Sequence, residues 1–411
     1  MGLALKPGTE WRTVYGRARA AAPEAFGEDG PLNYWGGRWR AEGEPEAAIS
    51  PIDGSTVTGP PRLDAGSAHR AVRDSFHEHR TWAVASVADR KARVSAAVDD
   101  LAAHRELLAL LLIWETGKTW ASAGADVDRC VDGVRRSLGE IDGLLEGRSP
   151  LRGPVADVAG GQHPMGVLMH AMLVQALAGS AAIAEAPAGG GANCLTLAIA
   201  LAGRHGLPFT LLSGTASSAV LEGSHVIGKR IVLEGAGPKS WGIGAPGDLP
   251  PLSERIRESF EDGSSPRRYV VLRSLSEEFL AAYLPLARGR VFGHPLAVES
   301  PEDLLPALGS GPVISDRKAK DLLDTVDEAI GGGAVPLYRG EMEAGKFIPG
   351  QDKSAYFAPM SILGPPTSSP LYRTDPGGPV DVIVLVDTEA ELPAGTGVSP
   401  GVEQLVHAVT H

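Results

Sequence analysis

The chain has 411 residues, too many for one small core, so two or three domains are expected. Hydrophobic residues make up 43% and charged residues 21%, and the net charge of −12 argues against a nucleic-acid surface, which needs clustered Lys and Arg. Two cysteines, Cys130 and Cys194, leave no disulfide framework and no Cys-based zinc site, so a reducing cytoplasm is the expected location. The start, "MGLALKPGTEW", has no apolar core of signal-peptide length, and Lys6 stands where myristoylation needs Ser or Thr.

From Asp64, a plausible cap, the spacing of Ala68, Val72, Ser75 and Phe76 predicts a helix. Within it "FHEHR" offers His77 and His79, but residues two apart diverge on a helix, so a solvated face and no metal site is expected. A second helix is predicted from Asp89, where Val94, Ala97, Val98 and Leu101 share a face, leading into "HRELLALLLIWETGKTW". An amphipathic helix follows over about 123–145.

Beyond Pro154 short apolar runs alternate with glycines. "GVLMHAMLVQALA" reads as helix, "SAAIAEA" as strand, "CLTLAIALAGRHGLP" as helix, and "FTLLSG" and "KRIVLEGAG" as strands. Such β-α-β alternation marks a doubly wound parallel sheet rather than a membrane span. "GSHVIGKR" nearly spells a P-loop, yet Arg230 replaces the magnesium-binding hydroxyl and a strand follows, so a plain loop is expected. A second α/β segment carries the strand "RRYVVL", the helices "LSEEFLAAYLPLA" and "KAKDLLDTVDEAIGGG", and the strand "DVIVLVD". The tail after it is short and weakly patterned.

Several stretches match a known family in order. "RTWAVASVADRKARVSAAVDDLAAHRELLALLLIWETGK", with Trp82, Arg90 and Glu115-Thr116-Gly117-Lys118, resembles the N-terminal helices of the aldehyde dehydrogenase superfamily. "PMGVLMHAMLVQALAGSAAIAEAP", "GLPFTLLSG", "VLEGAGPKSWGI", "YFAPMSIL" and "DPGGPVDVIVLVD" resemble later blocks, so the resemblance covers roughly Pro51 to Val386. It implies an α/β, aldehyde dehydrogenase-like fold: a Rossmann-type cofactor domain plus a smaller α/β catalytic-type domain, shortened at the C-terminus. The expected division is 1–240 for the N-terminal helices and NAD(P)-binding-like domain, 241–386 for the catalytic-type domain, and 387–411 as a remnant.

Carried over residue by residue, the family's chemistry does not arrive intact. Oxidation there needs a thiolate, because a covalent hemithioacetal presents its hydride to nicotinamide. The thiol position falls in Gly263-Ser264-Ser265-Pro266, where there is no sulfur. Gln162, in Gly161-Gln162-His163-Pro164, stands where the family has its oxyanion asparagine. Glu185 and Ala186 stand before Pro187, where the family has the lysine that holds the adenosine ribose, and Glu185 would repel a 2′-phosphate. Between Gly214 and Glu234 the sequence is too short for the pyrophosphate-binding Phe-Thr-Gly-Ser unit. Asp375 occupies the position of the glutamate that grips the nicotinamide ribose, with Gly377 in place of the neighbouring aromatic.

Glu234 matches the residue that activates the hydrolytic water, or is a charged strand end with no remaining role. Cys194, near the start of a helix, is either a substitute thiol or core packing. The leading expectation is a degenerate member unable to run cysteine-dependent NAD(P) aldehyde oxidation, retaining its cleft for a small molecule or partner. Alternatives are a repurposed enzyme using Glu234 with His163, Ser264 or Ser265, a residual NAD(P)-dependent aldehyde oxidoreductase, and a decaying gene product. NAD(P) would bind only if the cleft survives. Expected partners are a second copy or an active family homologue, with no nucleic acid and no membrane.

Overall fold

Three of the helices in the first half of the chain start at side-chain caps, Asp64, Ser86 and Thr119. In the computed structural model, which describes residues 2–159, 163–187, 189–225, 227–233, 240–251, 254, 256, 267–393 and 402–411, a short strand β1 (Ala4–Leu5) and helix α1 (Trp11–Ala21) come first. Strands β2 (Asn33–Trp35), β3 (Arg38–Arg40), β4 (Ala47–Ile49) and β5 (Thr56–Thr58) follow, β4 and β5 forming their own ribbon. Asp64 caps α2 (Ala65–Trp82) by accepting from the Ser67 amide at 2.7 Å, and Ser86 caps α3 (Val87–Ala103) by accepting from the Asp89 amide. The predicted face of α3, Val94, Ala97, Val98 and Leu101, is buried. Helix α4 (Arg105–Thr116) is buried without a break from Leu107 to its end, and Thr119 caps α5 (Trp120–Leu144).

His79 departs from the solvated face expected of it. His77 is exposed, but His79 is 1% exposed and fixed at both ring nitrogens. Its Nε2 donates to the Leu151 carbonyl at 2.7 Å and its Nδ1 accepts from the Ala181 amide at 3.2 Å. Two-residue spacing separates the histidines around the helix, and only one of them meets the sheet.

The first sheet is built from β6 (Val155–Ala159), β7 (Ala182–Glu185), β8 (Phe209–Leu212) and β9 (Lys229–Leu233), all parallel, with β2 and β3 added antiparallel at one edge. Its order is β3-β2-β8-β7-β6-β9. Alternation sorts its side chains: Ala182, Ala184, Phe209 and Leu211 join the core of α3–α5, α6 (His170–Ala178) and α7 (Ala192–Gly203). Ala156, Ile183 and Leu212 face α2 and α8 (Thr215–Gly223) on the other side. Helices on both faces of a parallel sheet make the doubly wound arrangement read from the alternation of runs.

The second sheet contains β10 (Ser240–Ile243), β11 (Arg268–Leu272), β13 (Val335–Arg339), β14 (Met360–Leu363) and β15 (Val380–Val386) in the order β10-β11-β15-β14-β13. Only β13 is antiparallel; the two-residue strand β12 (Ala297–Val298) pairs instead with β1. Helix α9 (Ser276–Arg288) covers one face with Phe279 and Tyr283, and α10 (Asp316–Gly331) covers the other with Leu322 and Val326. A short helix α11 (Pro370–Arg373) leads toward β15.

The weakly patterned tail ends in a helix, α12 (Val402–Val409), whose Leu405 and Val406 join the core of the first sheet's helices. The backbone of His411 exchanges two hydrogen bonds of 2.9 Å with Ser149. Among the described residues no helix is long and apolar enough to cross a membrane.

Candidate functional site

Strand order locates the crevice. The chain lays down β6, moves outward through β7 and β8, then returns to place β9 on the opposite side of β6. In open α/β sheets ligands bind outside the carboxyl ends of the strands where the order reverses, here after β6 and β9. Those strands end at Ala159 and Leu233, which are register partners. Gln162 and Glu234, expected from the sequence to be catalytic-type positions, follow these ends in the chain but lie outside the described residues, as does the Gly263–Pro266 segment.

His163 heads the helical segment after β6. Pro164 opens a π-type turn, Pro164–Met169, which runs into α6, and the His163 carbonyl accepts from the Val167 amide at 3.0 Å. The imidazole Nδ1 lies 3.2 Å from Asp126 Oδ1, 3.3 Å from Lys118 Nζ and 3.5 Å from Arg129 Nη2. Asp126 sits on the inner face of α5, fully buried, and also accepts from the Gly166 amide at 3.2 Å. Burial opposes its charge, but Lys118, the His163 hydrogen bond and Arg129 outweigh that cost and hold its carboxyl well below the usual range. Burial together with Lys118 and Arg129 lowers the His163 pKa, against the pull of Asp126, so the ring is neutral near pH 7.

Lys118 reaches this place because α4 ends sharply. Gly117 takes φ +73°, and an added Cβ would come within 2.6 Å of Pro312 Cγ. That contact also ties the first sheet's helices to the strap 311–314, whose Val313 packs against Gly378 near the second sheet.

Glu115, just before this turn, closes the nearest helix N-terminus. Its Oε1 accepts from the Asn193 amide at 2.7 Å and Oε2 from the Cys194 amide at 3.0 Å, capping α7. Burial pushes its pKa up to about 7 despite these bonds. In the sequence Glu115 stands out only as part of Glu115-Thr116-Gly117-Lys118; its partner, 78 residues away, gives no local signal.

Glu185 and Asp375, the two positions expected from the sequence to face a cofactor, lie at different sheets. Glu185, half-buried at the end of β7, accepts a short hydrogen bond from Ser218 on α8, and burial raises its pKa. Asp375 is exposed on the approach to β15 and accepts from the Gly377 amide at 2.7 Å, bracing its own turn. Glu185 thus ends the strand next to the one leading to His163, whereas Asp375 precedes β15 of the other sheet.

Both thiols are fully buried. At Cys194 the helix N-terminus does not produce a thiolate, because burial first, and then the charges of Glu115 and Asp126, drive its pKa well above the ordinary value. Burial and Asp126 likewise raise Cys130. The native protein is therefore expected to leave both cysteines unreacted with Ellman's reagent at pH 8, and to yield two equivalents of thiolate on unfolding. One equivalent released rapidly by the folded protein would overturn the assignment. Among the described residues no cluster of three or more His, Cys, Asp or Glu could hold a metal ion.

A doubly wound sheet with a switch-point crevice, joined to a second α/β sheet, defines the class of protein. The sequence profile of the aldehyde dehydrogenase family matches residues 39–214 and 213–394, and the chain belongs to that family. It is 24% identical over 399 residues to a 4-(hydroxymethyl)benzenesulfonate dehydrogenase of Comamonas testosteroni, covering 86% of this chain and 80% of that one. It is 28% identical over 142 residues to malonate-semialdehyde dehydrogenase 1 of Bacillus licheniformis, covering 31% and 29%. Among solved structures, HpcC from Thermus thermophilus superposes with a TM-score of 0.77 at 18% identity, covering 93% of this chain and 81% of that one. A 3,6-anhydro-L-galactose dehydrogenase, solved in complex with NAP, gives 0.74 at 17% identity over 88% and 83%.

Proposed function

We propose that this chain is an aldehyde dehydrogenase family member that does not oxidise aldehydes through a thiol and that uses the crevice after β6 and β9 as a small-molecule site. The observation that carries this reading is the burial of both thiols, Cys130 and Cys194, with no other cysteine in the sequence. The segment from Gly214 to Leu233 supports it, since its described residues form one helix and one strand, with β9 pairing directly on β6. Among those residues there is no additional helix N-terminus for a pyrophosphate. Glu185 in place of a lysine opposes a ribose phosphate further.

Lys118 and Arg129 beside Asp126 give the described cluster one net positive charge with His163 neutral, which favours an anionic ligand. Two relatives are named for anionic compounds, a benzenesulfonate and a semialdehyde of malonate. The proposed units are 1–240, 241–386 and 387–411, the last attached to the first through α12. Two free buried cysteines fit a reducing compartment.

Calorimetric titration with NAD and NADP up to millimolar concentration tests the reading, followed by absorbance assays with aldehydes. The expected result is no saturable binding and no reduced cofactor. Aldehyde-dependent reduction of either cofactor would overturn it.

A further inference from the structure

We propose that Asp126 and His163 form an acid–base dyad that moves a proton on the carbon next to the carbonyl of a small molecule bound in this crevice. The inference rests on the crevice being a small-molecule site and goes further in naming a reaction. Two elements converge to build the pair: α5 presents Asp126 and the segment leading into α6 presents His163, 37 residues apart in sequence and 3.2 Å apart in space. Asp126 is fixed from a second direction by the Gly166 amide, and its Oδ2 is buried without a hydrogen-bond partner. A buried carboxylate held in this way accepts a hydrogen bond from Nδ1–H and so leaves the lone pair on Nε2, as a base requires.

The ring is reachable, with 26% of its side chain exposed, while Asp126 is sealed. The charged groups facing it are Asp126 and Arg129 from α5 and Lys118 from the turn before α5. Lys118 and Arg129 supply positive charge near an oxygen that develops enolate character. In the forward step His163 Nε2 takes the proton, the C–H electron pair forms a carbon–carbon double bond, and the carbonyl pair moves onto oxygen. Return of a proton from Nε2 restores the carbonyl compound. Nothing is oxidised or reduced, so neither a thiol nor a nicotinamide is needed.

In deuterium oxide the returned proton is a deuteron. Proton NMR of pyruvate and propanal, an anionic and a neutral carbonyl, is therefore followed with the full chain and without nicotinamide cofactor. The wild-type protein is expected to exchange at least one of them faster than buffer, with an acid limb below the ordinary imidazole range. His163→Gln is expected to lower the enzymic rate by about 100-fold. Asp126→Asn, a change to a positioning residue, is expected to shift the acid limb as well as the rate. Should that buried variant misfold, His163→Gln decides alone. No exchange above buffer with either compound overturns the proposal, as does an unchanged rate in His163→Gln. Calorimetry on the same samples separates the two readings: carbonyl binding without exchange removes the dyad and keeps the site. NAD-dependent oxidation removes the reading of the crevice as a thiol-independent site.

Discussion

Asp157→Asn is expected to stabilise the protein by about 4 kcal/mol at pH 7, and by progressively less as the pH falls toward 4. Asp157 lies on β6, two residues before the strand end that leads to the crevice, and is completely buried. Its Oδ1 accepts from Gln175 Nε2 at 2.6 Å, while Asp157 Oδ2 and Gln175 Oε1 are both buried with no hydrogen-bond partner. Burial pushes the carboxyl up to about 8, the one opposing contribution being the Gln175 bond. A protonated Asp157 can donate to Gln175 Oε1 and satisfy both oxygens; an ionised one leaves a charge in the sheet. The folded state therefore holds a proton that the unfolded chain releases near pH 4, so stability falls as pH rises from about 4 to 8. Asparagine supplies the missing donor at every pH and removes that slope. Urea unfolding of both proteins between pH 4 and 8 measures it, and the difference between them cancels the titration of every other group. Equal slopes in the two proteins would exclude a protonated Asp157.

Acidic destabilisation from histidines runs the other way and is superimposed on this slope in the wild-type protein. His170 and His294 are both pushed down to about 4, mainly by burial, so each favours folding above its unfolded value and loses that contribution as pH falls from about 6.5 to 4. The wild-type stability maximum reflects both trends.

What the sequence made legible was what repeats locally. The caps at Asp64 and the period of Val94, Ala97, Val98 and Leu101 need only near neighbours, and both stand. Strand and helix alternation after Pro154 placed β7, β8 and β9 in order, whereas β6, five residues just before the first apolar helix, was not singled out. Residues whose role depends on distant partners were not legible. His79 looked like a solvated helical histidine until Leu151 and Ala181, 72 and 102 residues away, closed on its ring. Asp126 gave no signal, because its value comes from Lys118, His163 and Gly166 converging on one oxygen region. Helix α12 was missed because a single amphipathic turn pair after Pro- and Gly-rich sequence has little propensity of its own; its stability comes from docking on α6. The cysteine count was the reverse case, legible as composition, and the burial of Cys194 argues against the substitute thiol that sequence alone left open.

Removing the carboxylate of Asp381 is expected to have a comparably large effect with the opposite sign. Asp381, on β15, is 1% exposed, and so is the side chain of Arg290, whose Nη2 donates to its Oδ2 at 2.9 Å. Arg267 donates to Oδ1 at 3.3 Å, and the Tyr283 hydroxyl donates to Oδ2 at 2.6 Å while lying 2.7 Å from Ser361 Oγ. One carboxylate thus faces two guanidinium groups and a phenol at the centre of the second sheet. Asp381→Ala leaves the Arg290 charge buried without this counter-charge, at a cost of about 3–5 kcal/mol. Asp381→Asn keeps an acceptor and should fall between that variant and wild type. Replacing the fully buried pair with apolar groups, as Asp381→Leu with Arg290→Met, should recover part of the loss, since Arg267, 14% exposed, still loses its counter-charge. Urea unfolding followed by circular dichroism distinguishes the cases; an Asp381→Ala variant within about 1 kcal/mol of wild type would show the network to be dispensable. The position of this network bears on the site as well as on stability. Arg267 directly follows the Gly263–Pro266 segment, and its carbonyl accepts from the Val382 amide at 2.6 Å, next to Asp381. The strand exit from that segment is therefore held by the same carboxylate that faces Arg290.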